Sequence, residues 1–288
     1  MFIRLLALAL LLLGSPAWAA PALWVAHGPH ATVYLFGSVH LLRPGTKWPS
    51  LALRRAFDDA SECWFEIKLP GDPKTMAQLT QQVGFDPGHR LSALLTPKQD
   101  AQLKALVQRA GPPTSLDAIE RMRPWLAALV LMVQPLTSSG YDPERGPDAV
   151  LQHNAVEKGK KVEAFETFDG QMRMFAGLPT SSALGFLAST LDDGDQGPAL
   201  LDQMVAQWMS GDADELGATE SRSMREDAPE LFKAIFTDRN LHFADAVQGL
   251  LMGKKTILVT VGAAHFAGPG NVRELLEARG IQVERVLD

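Results

Sequence analysis

Apolar residues form short, dense runs near both ends of the chain and longer helix-spaced sets between them. Near the start, Thr32-Val33-Tyr34-Leu35-Phe36 runs into Gly37, and His40 follows three residues later. Near the end, Thr256-Ile257-Leu258-Val259-Thr260-Val261 runs into Gly262, and His265 follows at the same spacing. A short apolar run closed by Gly reads as a buried strand that turns at its end. Residues 23–27 read as a further strand, joined to the first by the Gly28-Pro29-His30 turn. Residues 50–60 place Leu51, Leu53, Ala56 and Phe57 on one helical side, and 62–69 reads as the next strand. Strand, helix, strand is the order of a βαβ unit carrying His40 at its first strand end.

The middle of the chain is predominantly helical. Thr96-Pro97-Lys98-Gln99 has the form of a capping box with Pro in the first turn, and Gly111-Pro112-Pro113 stops that helix. Residues 116–134 predict a second helix, bent or split by Pro124. The apolar stretch 125–133 within it suits either core or a substrate groove. Residues 147–158 predict a helix and 161–167 a strand. Between 178 and 252 we expect helices at 198–209, 212–225, 229–236 and 238–252, the last capped by Thr237 or Asp238. A strand at 256–261, a helix at 271–279 and a strand at 281–287 complete the pattern. It predicts an α/β fold with sheet-forming halves at each end and a helical insert between them.

Residues 1–20 stand apart. Arg4, the Leu/Ala run from Leu5 to Leu13, and Ala17-Trp18-Ala19 have the form of a cleaved signal peptide. That leaves 21–288 as one domain, in the periplasm or secreted, with no stable membrane anchor. The single cysteine, Cys63, rules out an internal disulfide and reads as a core residue. A formal net charge of −6 gives no electrostatic reason to bind nucleic acid. No H-E-x-x-H, G-x-S-x-G, Walker loop or G-x-G-x-x-G is present.

The chemistry gathers at a few polar residues in apolar settings. A lone His at a strand end usually caps a turn, but two in the same Gly-x-x-His context suggest imidazoles brought to one spot as metal ligands. Glu66 lies in the otherwise apolar Cys63-Trp64-Phe65-Glu66-Ile67, where a carboxylate calls for a partner or a metal. The alternatives are an exposed edge or a salt bridge to an arginine such as Arg54. Two His and one carboxylate would leave a position for water. Glu166 ends the next strand as a second carboxylate, for water activation or substrate binding. Arg239 is placed to hold a carboxylate or an oxyanion. Gln171, Asn240 and Asp148 are candidate substrate-binding residues, although Asp148 also suits a plain first-turn helix acid.

Together these motifs resemble the TraB/GumN family, which includes the animal Tiki proteins. Gly37 to His40 and Gly262 to His265 match its paired Gly-x-x-His motifs, and Glu66 its strand glutamate. Gly146-Pro147-Asp148 resembles its Gly-x-Asp, and Phe165-Glu166-Thr167 with Gln171 its Leu-Glu-Thr with a following Gln. Trp208, Gly211 and Asp212 match a Trp-x-x-Gly-Asp stretch, and Arg239-Asn240 an Arg-Asn pair. The similarity spans about residues 24–287. It implies a central mixed sheet built from two pseudo-symmetric halves, akin to erythromycin-esterase and heme-uptake ChaN-like proteins. It also implies a divalent-metal site (manganese, cobalt or zinc) on His40, Glu66 and His265, and hydrolysis of a peptide or protein substrate. Phe165 and Phe266 depart from the family's Leu at those positions. A metal-free esterase-like hydrolase and a periplasmic heme or iron binder are the rival expectations.

Overall fold

The computed structural model describes residues 20–68, 72–112, 114–213, 216, 224–225 and 228–288. The signal-like segment 1–19 and most of the helix expected at 212–225 lie outside the described residues.

Six strands form one mixed sheet: β1 (Leu23–His27), β2 (Thr32–Ser38), β3 (Glu62–Ile67), β4 (Lys161–Glu166), β5 (Thr256–Gly262) and β6 (Val283–Arg285), in the order β4-β3-β5-β2-β1-β6. The contacts β2–β5, β5–β3 and β3–β4 are parallel, while β1 runs antiparallel to both β2 and β6. The expected βαβ unit is present as β2, α1 (Leu51–Asp59) and β3. Its two strands are not neighbours, because β5, drawn from the far end of the chain, lies between them. In register, Ser38 of β2 stands beside Gly262 of β5.

Both faces of the sheet are covered, which is why β5 is apolar at almost every position rather than alternating. On one face Val33, Leu35, Ile257, Val259 and Val261 pack against Phe243, Ala244, Val247 and Leu251 of a late helix. On the other, Phe36, Cys63, Phe65 and Leu258 pack against Leu53, Ala56 and Phe57 of α1 and against Trp208. Cys63 is a free, fully buried core thiol whose pKa burial pushes up to about 11.

The helices mostly begin where local chemistry places them. Thr96 and Gln99 form the reciprocal capping box expected there, and Gly111 ends that helix at φ +64°. The 116–134 segment splits at Pro124 into Leu116–Glu120 and Pro124–Ser138. Trp125, Leu126, Ala127, Ala128 and Leu131 are buried, so the apolar stretch is core and not a groove. Pro73–Gly84 is a helix that the apolar pattern did not reveal. Neither Thr237 nor Asp238 caps a helix. Thr237 has helical dihedrals and no capping bond, because Asp238–Leu251 continues a π-helical turn, Lys233–Thr237, that follows Pro229–Phe232. Among the described residues no single helix is long and apolar enough to cross a membrane.

Leu258 lies inside β5, a strand covered on both faces, with none of its surface exposed. Leu258→Ala is expected to cost about 2–5 kcal/mol through lost transfer energy and a cavity that a sheet covered on both faces cannot collapse. Chemical denaturation checks this, and a loss under about 1 kcal/mol would contradict a rigid two-faced core.

Candidate functional site

Parallel α/β sheets present their ligand sites at the carboxyl ends of the strands. Four strand ends converge here. His40 follows β2, Glu66 stands near the end of β3, Glu166 ends β4, and His265 lies in the short 3₁₀ turn Ala263–Phe266 after β5. Gly262 marks the meeting point. A Cβ built on it would lie 3.1 Å from Glu66 Oε1, 3.6 Å from His265 Cδ2 and 3.8 Å from His40 Nε2. The glycine's missing side chain is therefore the cradle into which all three groups point. Its N–H also donates to Glu66 Oε1.

His40 is held from below by the first turn of the Pro147–Glu157 helix. Its Nδ1 lies 3.2 Å from Asp148 Oδ2, and Gly146 packs so closely that a Cβ there would be 2.4 Å from the His40 carbonyl. The carbonyl of Gly37, at the other end of the motif, accepts from Trp208 Nε1 at 2.8 Å. The expected substrate-binding residue Asp148 is thus engaged in orienting His40.

His265 sits deeper, with 4% of its surface exposed. Phe236 and Phe243 flank its ring at 5.4 and 5.1 Å between centroids. Asn240 Nδ2 donates to Gly270 O at 2.9 Å, which turns Asn240 Oδ1 toward His265 Nδ1 at 2.6 Å. His265 Nδ1 therefore carries the proton and Nε2 keeps its lone pair, facing Glu66 Oε1 at 3.6 Å. Asn240 is buried and fixes this tautomer, the arrangement by which ligating imidazoles are commonly oriented.

Arg239 ties the carboxylates together. Its Nε and Nη2 reach the two Glu166 oxygens at 2.8 and 2.9 Å, Nη2 also reaches Glu66 Oε2 at 2.6 Å, and Nη1 lies 3.2 Å from His265 Nε2. Gln171, one turn into the helix after β4, donates to Glu166 at 2.9 Å and to Glu66 at 3.5 Å. All the candidate residues therefore fall in one connected cluster. Trp208, Gly146 and Gly262 support it, and the π turn delivers Arg239; the signals in the sequence were the Gly-Pro-Asp and Trp-x-x-Gly-Asp stretches and the glycine preceding His265.

The charges follow from this wiring. Burial alone would raise the Glu66 pKa, but the charge His265 can carry, Arg239, His40 and the Gly262 N–H hold it well below the usual carboxylate range. Burial lowers the His265 pKa to about 4, with Arg239 and His40 adding to the effect against Glu66. For His40, desolvation is outweighed by the hydrogen bond and charge of Asp148 and by Glu66, which raise it to about 9. Its side chain is 60% exposed, so solvent screens that attraction and the upward direction is what matters. At neutral pH the cluster holds an ionised Glu66 and a neutral His265.

Two imidazoles and a carboxylate around one glycine are a donor set that suits zinc, manganese or cobalt. Among the described residues, no three His, Cys, Asp or Glu side chains stand close enough to form a ready-made metal cage. Arg239 contacts two of these three donors, His265 Nε2 and Glu66 Oε2.

The pKa shifts predict the pH dependence of stability in metal-free protein. Between pH 6.5 and about 4 the unfolded chain binds the His265 proton and the folded one does not, so stability falls as pH drops through that window. His40 acts oppositely and weakly, losing stabilisation as pH rises from 6.5 toward 9. Melting curves of wild type and His265→Gln between pH 4.5 and 6.5 test this. The variant should lose part of the acid-side fall, and an unchanged slope would reject the assignment.

Comparison with known proteins agrees with the motif reading. The uncharacterized protein YbaP of Escherichia coli (strain K12) is 26% identical over 186 residues, covering 65% of this chain and 67% of its own length. YbaP of Shigella flexneri matches to the same extent. The metalloprotease TIKI2 of Danio rerio is 24% identical over 315 residues, covering 89% of this chain, which spans 58% of that protein's length. No solved structure matches the chain. The profile of the TraB/PrgY/gumN family matches residues 22–285, a span that takes in all six strands and every residue of the strand-end cluster, and the chain belongs to that family.

Proposed function

We propose that this protein is a metal-dependent hydrolase acting on peptide or protein substrates in the periplasm or outside the cell. The observation that carries the proposal is the convergence of His40 Nε2, the lone pair of His265 Nε2 and ionised Glu66 on the Gly262 cradle. The similarity to a metalloprotease supports the reaction class, and the signal-like segment supports the location. A divalent ion held by His40, Glu66 and His265 would supply an acidified water. Asp148 fixes the His40 ring and Asn240 the His265 tautomer. Glu166 is the nearby carboxylate able to accept a proton, steered by Gln171. Arg239, forked to Glu166, stands beside the place where an oxyanion would form. One observation favours a metal-free hydrolase as the rival: Arg239 already satisfies Glu66 and approaches His265 Nε2.

Metal analysis of the purified protein beside a His40→Ala/His265→Ala variant separates the two readings. Near-stoichiometric manganese, zinc or cobalt, lost in the variant, together with peptide hydrolysis that chelator abolishes, is the expected result. Full hydrolysis by chelated, metal-stripped protein would reject metal dependence. Gly262→Ala places a methyl in the cradle, 3.1 Å from Glu66 Oε1. It should weaken metal binding by about tenfold or more with an unchanged circular dichroism spectrum; unaltered metal affinity would mean that the ion does not sit there.

A further inference from the structure

The guanidinium of Arg239 contacts two kinds of partner. Glu166 binds it through a fork, Nε to Oε1 at 2.8 Å and Nη2 to Oε2 at 2.9 Å. Glu66 Oε2 and His265 Nε2 receive its remaining reach, Nη2 at 2.6 Å and Nη1 at 3.2 Å. The second pair are groups that a metal would need, and the single lone pair of His265 Nε2 cannot serve a guanidinium proton and a metal ion at once. Arginine stays charged at every accessible pH, so it can yield these partners only by moving. Lys233–Thr237, immediately before, is a π-helical turn, and Ile235 O accepts from Arg239 Nη1 at 3.3 Å. Such turns are rare and are frequent at functional sites.

We infer that Arg239 is an internal counter-cation that holds Glu66 and His265 in place in the metal-free protein, and that a divalent ion binds by displacing it onto Glu166. This rests on the metal site proposed above. In the metal-free state Arg239 compensates two carboxylates that would otherwise be buried like charges. In the loaded state the ion takes Glu66, while the Arg239–Glu166 fork persists as a neutral pair beside it. Arg239 is thereby a positioning residue that tunes metal affinity, and Glu166 is its acceptor.

The two roles have opposite signs in a binding measurement. Cobalt(II) is titrated into metal-free wild type, Arg239→Gln, Glu166→Gln and the double variant, by calorimetry and by the visible cobalt absorption band. Arg239→Gln should bind cobalt about tenfold or more tightly, because no cation must be displaced. Glu166→Gln should bind it more weakly, because displaced Arg239 has no partner, and this loss should disappear in the Arg239→Gln background. Equal or weaker binding by Arg239→Gln overturns the inference. So does a Glu166→Gln loss that is the same in both backgrounds, which a simple long-range field would produce. If Arg239→Gln does not fold, the double variant is compared with Glu166→Gln alone and should bind more tightly; equal or weaker binding there overturns the inference. No cobalt binding by any of the four proteins overturns the metal site itself, and the inference with it.

Discussion

The insertion of β5 between β2 and β3 is the constraint on which the site depends. Without it the two Gly-x-x-His motifs are distant parts of one chain. With it, parallel pairing puts Ser38 beside Gly262, and Glu66 follows directly after the Phe65–Thr260 pair. The pairing holds because β5 is apolar on both faces and is covered on both. A one-residue slip would turn every buried side chain to the other face of the sheet, so the hydrophobic pattern of the core also fixes the register of the polar groups beyond it. The geometry of the strand-end cluster is in this sense a by-product of core packing.

At the end of that core stands a cluster of charges with little access to water. Arg239 and Glu66 side chains are each 11% exposed and Glu166 16%. Desolvation makes such groupings costly, and they persist where every charge has partners. Here each group has at least two partners. Glu66 has the Gly262 N–H and Arg239, His265 has Asn240 and Arg239, and Arg239 has Glu166 and the other two. A cluster wired this way is held in one arrangement by its own contacts.

The surrounding shell explains several residues that carry no charge. Asn240 sets which nitrogen of His265 is free, and its own orientation is settled by Gly270. Trp208 anchors the carbonyl of Gly37 while packing in the core edge-on to Phe36 and tilted against Trp48. Gly146 allows the Asp148 helix to approach the His40 backbone. These are positions where packing and chemistry act on the same atoms, so a substitution there would disturb both.

The chain's own pattern determined much of this. Each strand around the site was legible because buried parallel strands leave dense apolar runs, and the glycines and histidines at their ends stood out against them. The capping box at Thr96 and the break at Pro124 were legible because they depend on neighbours within a few residues. Other features were decided in three dimensions. Strand order was not legible, since nothing local says that β5 enters between β2 and β3. The burial of His265, the partners of Asp148 and Asn240, and the assignment of 125–133 to core depend on what packs against them. The helix start expected at Thr237 failed because the preceding turn continues as a π-helix, whose Phe236 packs on Phe232 and His265. Sequence determines the elements and the chemical groups they carry, because propensity and periodicity are local. Only the tertiary structure decides which groups share a charge, a proton or a cavity, because those depend on distances between residues far apart in the chain.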